Sequence, residues 1–127
     1  MAKRKITVVV VEPGKKPYVE TIPASLKGMQ DKVGGYIEAI YPFEEHVAII
    51  CNEEGKINGM PLNRALSNKE LGVYDIIAGT FFIADCSGDS FGSLSEEQQD
   101  KYKQMCWFPE KFVKIDGKIT PIRYDII

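Results

Sequence analysis

CNEEGKINGMPLNRALSNKELGVYDIIAGTFFI, Cys51 to Ile83, is the stretch on which the fold turns. It begins at the end of one apolar run and closes inside another. Asn58 to Leu66 (NGMPLNRAL) is too interrupted for a strand. Asn58-Gly59 signals a turn, and Pro61 opens a turn or a short helix carrying Leu62, Ala65 and Leu66. Asn68 to Gly72 reads as loop. Val73 to Ala84 (VYDIIAGTFFIA) is the longest strand-like run. Gly79 in its middle predicts a bulge or a close backbone approach.

Upstream of this stretch, Lys5 to Val11 (KITVVVV) is β-branched throughout its apolar part. Consecutive apolar residues predict a strand covered on both faces. Pro13-Gly14 turns the chain, and Tyr18 to Ile22 returns it as a hairpin. Ser25 predicts the cap of a short helix, LKGMQDKV, with Leu26, Met29 and Val33 on one face and Gly34-Gly35 ending it. Tyr36 to Phe43 and Val47 to Cys51 read as two more strands, and Glu54-Gly55 as a tight turn.

Downstream, Asp85 to Ser93 is a polar loop. Ser95 and Gln98 have the spacing of a capping box. The helix they open runs to about Cys106, with Tyr102, Met105 and Cys106 expected inward. Trp107-Phe108-Pro109 ends it. Asp116-Gly117 lies between Phe112–Ile115 and Lys118–Ile122, which predicts a hairpin with a type I′ turn. Strands outnumber helices and short turns join most of them. The expected class is α+β, a mostly antiparallel sheet with two helices.

A chain of 127 residues predicts one domain with a sizeable core. Sixteen basic against eighteen acidic residues give a net charge of −2. That balance does not support binding of nucleic acid through phosphates. The basic start, MAKRK, is followed by an apolar run too short for a signal peptide, and no run reaches the length of a membrane span. Cys51, Cys86 and Cys106 lack C-x-x-C spacing, so reduced thiols in a cytoplasmic protein are expected.

Several standard chemistries fit poorly. Gly88-Asp89-Ser90-Phe91-Gly92 matches G-x-S-x-G, but the helix begins several residues later and the sole histidine, His46, precedes the serine. His46 and Cys51, five positions apart along one strand, point to opposite faces and form no thiol dyad. One histidine and scattered cysteines predict no metal site, and no cofactor motif is present. The remaining candidates are Asn52, Asn58, Asn63 and Arg64. Amides and a guanidinium fork suit a protein partner or a phosphate-bearing ligand. The competing reading is turn chemistry, which explains the asparagines better than it explains Arg64.

VGGYIEAIYPF, CNEEGKINGMPLNRAL, YDIIAGTFFIA and SLSEEQQDKYK together resemble a bacterial family of unknown function. Its members are short proteins of Gram-positive bacteria, phages, plasmids and conjugative elements. The resemblance covers residues 5–106 and leaves 107–127 as a C-terminal hairpin extension. It carries no catalytic residues over. It implies a small accessory protein of a mobile element that counters host defence or tunes element transfer. The leading expectation is a protein that works by binding a host or element protein, a defence component among the possibilities, and not by catalysis. Two alternatives stand beside that expectation. One is a binder of a small, nucleotide-like ligand; the other is a metal-dependent hydrolase or nuclease using Glu38, Glu53 or Glu54. A surface of Asn52 to Arg64 with the Asp85–Ser93 loop is the expected site of recognition.

Overall fold

The structure, a computed structural model, describes residues 4–125. The first three residues of the basic start and the last two of the C-terminal extension lie outside the described residues.

The described residues fold as an α+β protein with a five-stranded antiparallel sheet, two small two-stranded sheets and two helices. Lys5–Val11 (β1) and Tyr18–Pro23 (β2) form one hairpin, in the register Val9↔Val19. Ile37–Ile40 (β3) and Val47–Asn52 (β4) form another, Ala39 facing Ile50. Phe81–Asp85 (β7) lies between the two hairpins and pairs with both β1 and β4. The order is therefore β2-β1-β7-β4-β3.

Alternation sorts the core into two layers. Ile6, Val8, Val10, Ala48, Ile50, Phe82 and Ala84 face one side, where Met29 and Val33 of the helix Leu26–Val33 (α1) cover them. Val9, Val11, Val47, Ile49, Phe81 and Ile83 face the other. There they meet Tyr102 of the second helix, Glu96–Met105 (α2), and Ile77 from outside the main sheet. The continuous β-branched run of β1 thus has the two covered faces its sequence predicts. Both caps form as expected: Ser25 Oγ accepts from Gly28 N, and Ser95 with Gln98 makes a reciprocal capping box.

Four expectations need correction. The strand read over Tyr36–Phe43 is only Ile37–Ile40, because Pro42 and the bends after it lift the chain off the sheet. Met105 is exposed, not inward, and Leu26, at the open end of the face it shares with Met29 and Val33, is exposed too. Val73–Ala84 is not one strand. It is Gly72–Ala78 (β6) and then β7, in different sheets, with Gly79 between them at φ 81°. Finally, Leu62–Asn68 is neither turn nor helix but a strand, β5, paired with β6. Its pattern looked interrupted because the ladder itself is interrupted. The register shifts between Leu62 and Arg64, leaving Asn63 as an extra residue. A bulge breaks the strict in-out alternation, so two successive polar side chains both turn inward.

The C-terminal residues form the second hairpin sheet, Glu110–Ile115 (β8) and Lys118–Arg123 (β9). Asp116 and Gly117 have φ of 51° and 81°, the two positive values a type I′ turn requires.

Candidate functional site

Asn63 and Arg64 sit near the start of β5, where the Asn63 side chain meets the end of β1. Asn63 is 0% exposed and Arg64 3% exposed. The Asn63 amide donates to the carbonyl of Val11 at 2.9 Å and to that of Gly79 at 2.8 Å. Its Oδ1 accepts from Arg64 Nη1 at 2.9 Å. Arg64 then distributes its remaining donors over backbone. Nε and Nη2 reach the Cys106 carbonyl at 3.3 and 3.0 Å. Nη2 also reaches Lys15 at 2.6 Å, and Nη1 the Asn63 carbonyl at 3.3 Å. A guanidinium has five N–H groups, and these bonds occupy them.

Cys106 caps the C-terminus of α2. A cation there meets the negative end of the helix dipole. Arg64 therefore ties three separate parts of the chain: the β1–β2 turn, β5 and the end of α2. Burial lowers its pKa from the usual arginine value. Glu110 approaches the same cluster. Its Oε1 accepts from Ala65 N at 3.0 Å and its Oε2 lies 3.9 Å from Arg123 Nε.

Of the other sequence candidates, Asn52 is also buried. Its Nδ2 donates to the Val33 carbonyl at 3.2 Å and its Oδ1 accepts from Glu54 N at 2.8 Å, fastening the end of α1 to the turn after β4. Asn58 is exposed in that turn. The structure brings Asn63 and Arg64 together and leaves Asn52 and Asn58 apart from them in their bonding.

The thiols and acids form no recognisable centre. His46 is exposed and precedes β4, while Cys51 lies buried near its end with Sγ 3.9 Å from Glu38 Oε1. Burial, with Glu38 adding to it, pushes the Cys51 thiol up to about 12, and burial pushes Cys106 up to about 11. A thiolate is the reactive form. A maleimide at neutral pH should therefore label the partly exposed Cys86 first, and Cys51 and Cys106 only after unfolding; peptide mass mapping of the adducts checks this order. Ser90 of the G-x-S-x-G pattern stands in an exposed loop, its hydroxyl accepting from Arg4 at 3.3 Å. Among the described residues no three His, Cys, Asp or Glu side chains converge as a metal site would require, and no helix is long and apolar enough to cross a membrane.

The surface beyond Leu62, next to the Asn63–Arg64 cluster in sequence, is less ordinary. Leu71, Val73 and Tyr74 from the β5–β6 hairpin are exposed, as are Val113, Ile115, Ile119 and Ile122 from β8–β9. A groove of about 680 Å³ runs between the hairpins, walled by Leu62, Leu71, Val73 and Ile76 on one side and Ile119 and Pro121 on the other. Sequence reasoning misses this face because Leu71 reads as loop and Leu62–Leu66 as turn or helix, so no β5–β6 hairpin is expected.

A domain of unknown function, DUF3846, matches residues 6–106. The chain belongs to the DUF3846 family. No curated protein and no solved structure matches it. The DUF3846 domain takes in β1 to α2, and hence Arg64 together with the Lys15 and Cys106 carbonyls that it binds. The β8–β9 hairpin follows the matched residues. It is fastened to the DUF3846 domain through Glu110 and through Lys16, which lies 3.2 Å from Asp125 and over the Trp107 ring at 4.7 Å.

Proposed function

We propose that this DUF3846 protein is a non-catalytic binding protein, and that its partner is another protein, seated on the face made by β5–β6 and β8–β9. The observation that carries the reading is the groove between the two hairpins, where exposed Leu71, Val73 and Tyr74 face exposed Ile119. Contiguous exposed apolar surface rimmed by polar groups marks interaction sites. Asn63 and Arg64 serve that face from beneath, by holding β5 to the sheet and to α2. The resemblance of residues 5–106 to short proteins of Gram-positive bacteria, phages and conjugative elements supports a cytoplasmic partner from the host or the element, a defence component included.

The test compares the wild type with Leu71→Asp and Ile119→Asp. Both positions are exposed, 69% and 50%, so stability should change by only about 0.5 kcal/mol. Quantitative affinity capture from the source cells should show one stoichiometric protein lost from both variants at unchanged thermal midpoint. Identical captures from all three would sink the assignment of this face.

A smaller, more enclosed cavity of about 240 Å³ favours a second reading, a small anionic ligand. Arg64, Glu110 and Arg123 line it with Phe43, Tyr74 and Met105. Native mass spectrometry of purified protein would show a bound mass lost on denaturation if this reading held. The saturated donors of Arg64 weigh against it.

A further inference from the structure

We propose that the β8–β9 hairpin is the moving jaw of the groove. It rocks as one body about Pro109 while β5–β6 stays fixed, and the Glu110 carboxylate is the latch that holds it. The motion follows from how the hairpin is anchored; that it admits and grips a partner rests on the binding reading above.

The two walls of the groove are anchored differently. In β5–β6, Asn63, Arg64, Ile77 and Ala78 are buried. Asn63 and Arg64 bond to backbone from β1, from the β1–β2 turn and from the end of α2. The turn after β4 packs on the same hairpin: a Cβ at Gly55 would lie 2.7 Å from the Ala78 carbonyl, and Lys56 pairs with Asp75 at 2.5 Å. Ile77 belongs to the core beneath α2, so moving this wall would open that core. In β8–β9, by contrast, no residue joins either core, and each is half-buried or exposed. Burial of apolar surface is the main force that holds one element to another, so this hairpin is lightly held. Within itself it is continuous. Glu110 to Ile115 pair with Arg123 to Lys118 without a register shift, and Tyr124 N extends the ladder to the Pro109 carbonyl at 3.0 Å. An element that is regular within and loosely joined without moves as one body.

Open space and the attachments fix where it moves. The groove of about 680 Å³ lies along β9, with Ile119 and Pro121 in its wall. A second cleft, of about 650 Å³, lies along β8, where Phe112 and Val113 stand across from Pro13, Gly14 and Pro61. The hairpin thus has room beside each of its strands. Its attachments gather at the base. Arg64 holds the Cys106 carbonyl and Pro109 is buried, so the chain is fixed up to that proline and turns beyond it. Among the described residues two polar links tie the hairpin and its base to the rest. Glu110 Oε1 accepts from Ala65 N at 3.0 Å, its side chain 8% exposed. Asp125, with a side chain 61% exposed, lies 3.2 Å from Lys16. An exposed ion pair contributes little, whereas a covered carboxylate on a backbone N–H makes one of the stronger single hydrogen bonds. Glu110 is therefore the latch. Its release lets Ile119 and Pro121 move relative to Leu71 and Val73, and so sets the width that a partner meets.

The experiment places nitroxide labels on the full chain in a Cys86→Ser background, since Cys51 and Cys106 are buried, and reads distance distributions by pulsed electron paramagnetic resonance. Ser67→Cys with Lys118→Cys spans the groove; Ser67→Cys with Glu97→Cys stays within the fixed body. All three positions are exposed. The pair across the groove should give the broader distribution already in the otherwise wild-type chain. Glu110→Ala should broaden it further and shift its mean, while Glu110→Gln, which keeps an acceptor for Ala65 N, should leave it unchanged. Hydrogen exchange on the same variants should show the main sheet and the β8–β9 ladder still protected. A cross-groove distribution as narrow as that of the reference pair and unmoved by Glu110→Ala would overturn the moving jaw. Broad distributions in both pairs would overturn the fixed wall. Loss of ladder protection in Glu110→Ala would overturn motion as one body, because the hairpin would then melt instead of rocking. The binding reading fails separately: captures indifferent to Leu71→Asp and Ile119→Asp would remove the partner from this groove and leave the motion standing.

Discussion

Arg64→Ala should lower the unfolding free energy by about 3–5 kcal/mol, the range for breaking a buried charged network. The variant removes the donors that satisfy the Cys106, Lys15 and Asn63 carbonyls. Each buried acceptor left without a partner costs about 1–3 kcal/mol. Part of that loss is offset because the buried charge, and its desolvation, also disappears. Arg64→Lys separates the two contributions. It keeps the charge but replaces a planar fork with one point donor group, which cannot reach three carbonyls in different directions. Urea titration of the three proteins checks the order wild type, then lysine, then alanine. A lysine variant as stable as the wild type would mean that charge alone, at the end of α2, holds the cluster. Partner binding should fall in step with the population of folded protein, unlike the effect of Leu71→Asp, which should act on binding alone.

Gly79→Val should cost about 2–4 kcal/mol. Gly79 has φ 81°, where an L-residue suffers a clash of about 1–2 kcal/mol, and a β-branched side chain suffers most. A Cβ built there would also lie 2.7 Å from the Met60 sulfur. Overpacking of that kind adds about 1–3 kcal/mol, less whatever Met60 recovers by swinging away. Gly79→Ala with Met60→Ala isolates the backbone contribution, since it removes the obstacle. Thermal or urea unfolding of the set measures both. If Gly79→Val were as stable as the wild type, the turn between β6 and β7 would not need its left-handed geometry.

These two positions also show where reading the sequence reached and where it stopped. Local signals were reliable: the caps at Ser25 and Ser95, the Asp116-Gly117 hairpin and the two-faced β1 each depend on neighbours in sequence. Two of the four corrections, Leu62–Asn68 and Val73–Ala84, centre on Cys51–Ile83, where distant residues decide. Val73–Ala84 has the pattern of one strand, and only the packing of β5–β6 outside the sheet tells Gly79 to turn. Asn63 and Arg64 stand out as polar residues in an apolar setting, and this drew them into the candidate site. Nothing local reveals that their partners are the carbonyls of Val11, Lys15 and Cys106, as many as 52 positions away. A saturated buried arginine and a ligand-seeking one look alike until those carbonyls are placed.

The position of β7 bears on how the protein comes off the ribosome. Its two hairpins, β1–β2 and β3–β4, are local and can form as soon as each emerges. They share no ladder with one another, because the strand that joins them is made later, at Phe81–Asp85. Non-local pairing of this sort is slow, and it leaves strand edges exposed meanwhile. The Cys106 carbonyl that receives Arg64 arrives later still. Synthesis thus yields two apolar half-sheets first, a central strand to unite them second, and the acceptor for the buried cation last. A chain halted before β7 is the species on which chaperones or proteases would act.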